Sequence, residues 1–319
     1  MTAARLVGTT VSAAAVWVVV AAVALCVGST GGVGWPSGFA LTHRLDVVLL
    51  ASLVGAALAT AGVGYQAVLR NPLAEPYLLG TAGGAALAAY AVRLGGLPVL
   101  TETVAAFGGA LLAVVVVLGV AGRRGSVRPT AVILTGVIVA SICGAAFALL
   151  YALNRDSDPF AVLIGDVRSN LPAGPKWVGL VLLAIGYAVT AVLAGKLNAA
   201  TLGDDEAAAL GVRVGQLRVV VLLAASLTVA GGVALAGPIG FVGLVGPHIA
   251  RLLVGADVRR LLPIATAGGA VLMVGAEALS RVLSRPEALN TGVPVGVWTA
   301  LLGGPLFIAL LRRSEVRDG

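Results

Sequence analysis

The chain has 319 residues, of which 59% are hydrophobic and only 11% charged. Soluble domains carry about a quarter charged residues, so this composition excludes a soluble protein, and no polar stretch is long enough for a separate soluble domain. The net charge of +7 is not a nucleic-acid footprint, because the basic residues cluster at the ends of apolar segments, where membrane topology accounts for them.

A bilayer-crossing helix needs roughly 20 apolar residues. In chain order, apolar segments near 11–28, 46–69, 78–92, 99–122, 130–153, 176–195, 217–236, 239–253, 261–283 and 294–312 predict ten spans. The first follows Arg5 and imitates a secretory signal. Nine further spans follow, however, and no A-x-A-like site precedes the Gly-rich stretch at 28–34, so the segment is expected to remain as a span. Cys26 follows Leu25 rather than a small residue, which argues against a lipoprotein anchor. Cys26 and Cys143 read as small core hydrophobes, with no disulfide framework or metal site. With both termini cytoplasmic, fourteen of the 21 Lys and Arg residues fall inside and seven outside, as the positive-inside rule requires.

Two stretches break the apolar pattern. One is GYQAVLRNPLAEPYLLG, from Gly64 to Gly80; the other is GPIGFVGLVGPHIAR, from Gly237 to Arg251. Helix-breaking backbone is tolerated at membrane depth only where protein or a water-filled cavity covers it. The short segments 78–92 and 239–253 follow these stretches, and interrupted segments of this kind point to helix junctions beside a transport pathway.

Several chemistries are absent. No G-x-x-x-x-G-K-[ST] phosphate loop is present, so the chain does not hydrolyse ATP alone, and no H-E-x-x-H or Cys/His cluster offers a metal site. His43 sits before a span and reads as interfacial. His248 follows Pro247 at an expected helix start and reads as a capping or packing residue. Glu277 is the clearest mid-span acid, with Arg281 one turn on as its natural partner. Glu102 and Asp46 fall near span ends. A proton relay needs more intramembrane acids than this.

Between the sixth and seventh spans, Leu197 to Arg218 reads LNAATLGDDEAAALGVRVGQLR. Asp204, Asp205 and Glu206 suit a helix N-terminus, Ala-rich sequence follows, and Gly211 suits a C-terminal stop. A short helix on the cytoplasmic face is expected, either as a solvated connector or as a docking element for a soluble partner.

Together these motifs resemble the FecCD-type permeases of type II ABC importers, which move iron–siderophores, haem and cobalamin. The resemblance covers roughly residues 40 to 313. It rests on Gln66 with RNPLAEPYLLG (Arg70–Gly80), on LGDDEAAALGV (Leu202–Val212), on GPIGFVGLVGPHIARLLVGADVRRLLP (Gly237–Pro263) and on VPVGVWTALLGGPLFIALLRR (Val293–Arg313), in that order. It implies an all-α polytopic membrane protein of about ten transmembrane helices, with residues 1–319 as one permease domain. Two permease subunits, identical or paralogous, would enclose a central pathway, each above a cytoplasmic ATPase subunit that binds ATP and Mg. The chain itself would hold no cofactor. The ATPase would dock on Leu202, Gly203, Glu206, Ala207, Leu210, Gly211 and Val212, and a binding protein outside would meet Arg44 and Arg281. The pathway would be lined by the second span, the region around Gln66 with Asn71 and Pro72, the stretch Gly237–Gly246 with Gly237, Pro238 and Gly240, the neighbouring Pro247 and His248, and Gly292–Gly296.

Two departures from the family pattern lie on the outer face. The usual R-L-P-R reads Arg44-Leu45-Asp46-Val47, and the usual E-L-P-[VI]-G reads Thr291-Gly292-Val293-Pro294-Val295-Gly296. The function implied is ATP-driven import of an iron(III)–siderophore complex across the cytoplasmic (inner) membrane, with haem and cobalamin as alternatives. An ion-gradient carrier, a membrane enzyme and a membrane scaffold are the rivals from other classes.

Overall fold

The computed structural model describes residues 3–28, 34–123, 126–154, 164–167, 171–283 and 293–318. Among them run eleven α-helices: α1 (Ala3–Cys26), α2 (Phe39–Leu69), α3 (Thr81–Leu94), α4 (Val99–Ala121), α5 (Pro129–Leu153), α6 (Ala173–Leu202), α7 (Asp204–Ala209), α8 (Val214–Ala236), α9 (Val242–Val254), α10 (Val258–Leu283) and α11 (Val295–Asp318). A single 3-10 turn covers Pro76–Leu79, and Gly122–Arg123 pairs antiparallel with Ser126–Val127 in a minimal hairpin.

Each predicted span holds one helix, and α7 occupies the segment read as connector or docking element. Among the described residues, seven helices are long and apolar enough to cross a membrane. The helices α3 and α9, with 14 and 13 residues, rise only about 20 Å at 1.5 Å per residue, so each has one end at membrane depth. The apolar part of α11 is also short, Val295–Pro305. The start of α2 differs from expectation: Thr42, His43 and Arg44 extend the helix back to Phe39, because polar residues that leave the bilayer continue the backbone hydrogen-bond ladder.

The longest helix, α2, is apolar on every side, as a helix enclosed by others must be. Its apolar window is 89% buried, with α10, α8, α6 and α9 packed around it. Lipid is as apolar as Leu, so helix association inside a bilayer relies on close packing and polar contacts. Gly55 of α2 and Gly269 of α10 each lie against the other's carbonyl, and Gly84 of α3 and Gly109 of α4 repeat the arrangement. Hydroxyl pairs join α2 to two of its neighbours: Tyr65 with Ser226 of α8 at 2.5 Å, and Thr60 with Thr266 of α10 at 2.8 Å. On the periphery, α1 packs on α10 and donates Trp17 Nε1 to Ser52 Oγ at 2.9 Å.

Candidate functional site

The two motifs that break the apolar pattern meet each other. At the end of α2, the Arg70 N–H bonds the Ala67 carbonyl and the Asn71 N–H bonds the Gln66 carbonyl, a paired stop that normally places Gly in the left-handed position. Here Arg70 occupies it, with φ 49°. Asn71 then closes a local turn by accepting the Leu73 N–H at 2.9 Å, and the chain re-enters the bundle through the turn at Pro76–Leu79. There it reaches the break between α8 and α9. The Glu75 carboxylate accepts the Phe241 N–H, and the Tyr77 hydroxyl accepts the Ile239 N–H. Buried backbone N–H groups need such partners, and an acid also suits the positive end of α9. Phe241 too is held at positive φ, 69°; it and Arg70 are the two non-glycine residues in that region among the described residues.

Further along α9, Pro247 lies inside the helix and cannot donate to the Gly243 carbonyl one turn back. That carbonyl instead faces Gly62 of α2, where a side chain would collide with it. His248 therefore sits mid-helix and half-buried, not at a helix start as the sequence suggests; the start is set at Val242 by the Glu75 contact. Near the end of α9, Arg251 Nη2 donates to Gln66 Oε1 at 2.9 Å.

The α7 segment is built as a rigid corner. Gly203 breaks away from α6, and Asp204, Asp205 and Glu206 open α7. The helix closes with the Gly211 N–H on the Ala208 carbonyl and the Val212 N–H on the Ala207 carbonyl, and Gly211 takes the left-handed conformation at φ 79°. Ala207 is buried against the bundle, while Leu202 and Leu210 stand 68% and 66% exposed. One Asp204 oxygen pairs with Arg70 at 2.8 Å and with Arg218 at 2.7 Å. Beside it, Asn198 ties α6 to the start of α10, donating to Asp257 at 2.6 Å and accepting the Val258 N–H. Partial burial opposes ionisation of Asp257. The Asn198 and Arg259 hydrogen bonds and the Arg260 and Arg259 charges outweigh it and hold the carboxyl below the usual carboxylate range.

At the opposite end, the residues expected to meet a binding protein are engaged within the chain. Arg44 Nη1 donates to the Leu25 carbonyl at 2.7 Å. The Arg281 side chain is 12% exposed and its Nε donates to Glu277 at 2.6 Å. Asp46, the acid that departs from the family pattern, pairs with Lys176 of α6 at 2.5 Å, and Val47, in place of the second arginine, is buried in the core. Residues 164–167 are stitched across the α8–α9 break and the start of α11: the Gly165 N–H bonds the Pro238 carbonyl, and the Gly296 N–H bonds the Gly165 carbonyl.

Six of the expected pathway residues thus separate into two groups, and Pro247 and His248 lie within α9. Gly237, Pro238 and Gly240 line the α8–α9 break, Gly240 directly beside Glu75. Gln66, Asn71 and Pro72 lie toward the α7 end. Gln66 is 3% exposed, so its side chain is internal to the subunit and faces no surface; sealing it there lets its amide oxygen hold Arg251. Thr291 and Gly292 lie outside the described residues. Sequence reasoning did not single out Arg70, Glu75, Tyr77, Arg218 or Arg251 as site residues. Their partners are distant in the chain, and the one sequence signal was polar residues where Leu would serve a lipid-facing helix.

The fold is an all-helical bundle of the multi-pass membrane class, in which two short helices, α3 and α9, follow breaks that meet each other and a capped corner helix stands at one end. The FecCD transport family pattern matches residues 3–313, and the chain belongs to that family. The hemin transport system permease protein HmuU of Yersinia pestis is 39% identical over 88% of this chain and 85% of its own. The Fe(3+) dicitrate transport system permease protein FecD of Escherichia coli is 37% identical over 86% of this chain and 85% of its own. The cobalamin import system permease protein BtuC of Halobacterium salinarum is 37% identical over 86% of this chain and 74% of its own. A solved metal-chelate type ABC transporter in an inward-facing conformation superposes with a TM-score of 0.85 at 26% identity, covering 96% of this chain and 99% of that one.

Proposed function

We propose that this chain is the permease subunit of an ATP-driven importer, residues 1–319 forming one domain in the cytoplasmic membrane with both termini inside. Two such subunits, identical or paralogous, enclose the pathway, and each rests on a cytoplasmic ATPase that holds ATP and Mg. The observation that carries the reading is the α7 corner: a capped helix, clamped to α2 and α8, with Leu202 before it and Leu210 after it standing exposed. A solvated connector has no use for two exposed leucines flanking a capped helix. Closure of the ATPase pair would move α7 and rock the subunits, as alternating access by rigid bodies requires.

The cargo is a bulky iron(III) chelate of the siderophore class, delivered by an extracytoplasmic binding protein. Relatives named for hemin, cobalamin and ferric dicitrate support a large metal chelate; haem and cobalamin are the second reading. Arg44 and Arg281 are already bonded within the chain, so the binding protein meets a rim whose charges are held in place, which favours orientation and encounter rate over affinity.

Co-purification from native membrane followed by uptake into proteoliposomes tests this. Leu202→Asp and Leu210→Asp, both at exposed positions, are expected to lose the ATPase subunit while the permease stays folded. Uptake of a ferric siderophore, but not of haem or cobalamin, should follow ATP. Retained ATPase association in both variants, or uptake driven by an ion gradient without ATPase, would overturn the reading.

A further inference from the structure

The α7 corner is joined to the mid-membrane break by one continuous set of contacts. Asp204 on α7 pairs with Arg70. Arg70 ends α2 and begins the connection to Pro76. Five residues on, Glu75 holds the Phe241 N–H at the start of α9. The Phe241 ring in turn fills the space beside Gly303 of α11, where a side chain would collide with it. From the surface helix to α11 there is no gap wider than a hydrogen bond, an ion pair or a packed ring, apart from the short covalent connection itself.

Two further observations single this route out. Both non-glycine residues at positive φ among the described residues, Arg70 and Phe241, stand on it. Gly would relieve the backbone at either position, and strain of this kind persists where the side chain is needed for another reason. The second arginine on Asp204, Arg218, is buried, and its Nε also reaches the Val68 carbonyl of α2 at 3.4 Å. Asp204 therefore grips the end of α2 from two sides, through Arg70 and through Arg218.

We propose that Asp204, Arg70 and Glu75 are positioning residues that transmit displacement of α7 to the start of α9 and to α11. The inference rests on α7 being the ATPase contact. When α7 moves, the Asp204 carboxylate drags the end of α2, the short connection from Asn71 to Pro76 carries the shift, and Glu75 moves the first turn of α9 with the Phe241 ring behind it. The connection is stiff enough to transmit such a shift, because Pro72 and Pro76 fix two of its backbone angles and Asn71 closes its turn.

Arg70→Gly separates this role from a merely structural one. Glycine is the favoured residue at a left-handed helix stop, so the variant is expected to fold with an unchanged or raised melting temperature. The complete importer, reconstituted with its ATPase and binding protein in proteoliposomes, gives the readout: ferric siderophore imported per ATP hydrolysed. Arg70→Gly should keep its ATPase subunits and lower that ratio by about tenfold, within the usual span of coupling between linked sites. Arg70→Lys, which keeps a positive charge on Asp204, should restore most of it. An unchanged ratio in Arg70→Gly overturns the proposal. So does loss of the ATPase subunits in that variant, since the ion pair would then hold the docking corner and not pass on its movement. If the wild-type complex shows no ATP-driven uptake, the importer reading itself falls, which the wild-type control reports separately.

Discussion

Gly55→Ala and Gly269→Ala test the close approach of α2 and α10, the crossing on which the bundle is centred. A Cβ on Gly55 would meet the Gly269 carbonyl and lie 2.6 Å from the Met273 Cβ; a Cβ on Gly269 would meet the Gly55 carbonyl and the Ala59 methyl. Neither obstacle is the free end of a flexible side chain, so the helices must separate. Overpacking of a filled core costs about 1–3 kcal/mol, and backbone obstruction on both partners places this case at the upper end. Gly→Ala in a helix returns about 1 kcal/mol of propensity. The net destabilisation is then about 2 kcal/mol, a fall in melting temperature of about 5 °C, read by thermal unfolding in detergent micelles. Gly275→Ala on the same helix is the control, because a Cβ there meets nothing within 4 Å; it should be neutral or slightly stabilising. The double variant should lose less than the sum of the singles, since both disrupt one contact. If the two variants prove as stable as Gly275→Ala, the packing argument for α2 fails.

Removing one member of a buried ion pair strands the other, so Glu277→Ala should destabilise by about 3 kcal/mol, and the added Arg281→Ala should recover part of that in the same melting assay. Glu277→Gln should leave ATP-driven uptake independent of the proton gradient; gradient-dependent uptake lost with Glu277 would instead favour a secondary carrier. Asp257 caps α10 through the Arg259 N–H at 3.1 Å, and Asp257→Ala should cost about 1 kcal/mol. Its folded pKa is lowered, so its stabilisation is complete above the unfolded value near 4 and is lost as pH falls through the folded value. The stability gap between wild type and Asp257→Asn should therefore narrow on acidification, and a widening gap would contradict the assignment. Lys176→Ala breaks a partly exposed pair with Asp46 and should change stability by less than about 1 kcal/mol; a larger loss would mean that the pair anchors α6.

Much of the architecture was legible in the chain alone. The ten apolar segments, the two interrupted helices and the corner helix opened by Asp204 and closed by Gly211 all follow from hydropathy, breakers and capping, which act within a few residues of one another. Glu277 and Arg281 were readable as a pair because a helix places residues four apart on one face. The site was less legible. That Gln66 would be sealed inside and hold Arg251 follows from α2 being enclosed by four neighbours, which its own apolar sequence does not announce.

The sequence by itself determined the solvent, the number and order of helices, and where they stop, because the bilayer requires every spanning backbone to close its own hydrogen bonds. Only the tertiary structure decided which breaks meet: Glu75 with Phe241, 166 residues apart in sequence, and Asp204 with Arg70 and Arg218. It also decided that Arg70 and Phe241 sit at positive φ where Gly was the expected choice. Charge pairs and crossing points depend on how helices rotate and tilt against one another. Those angles are set by the fit of many small residues at once, and no local pattern in the chain encodes them.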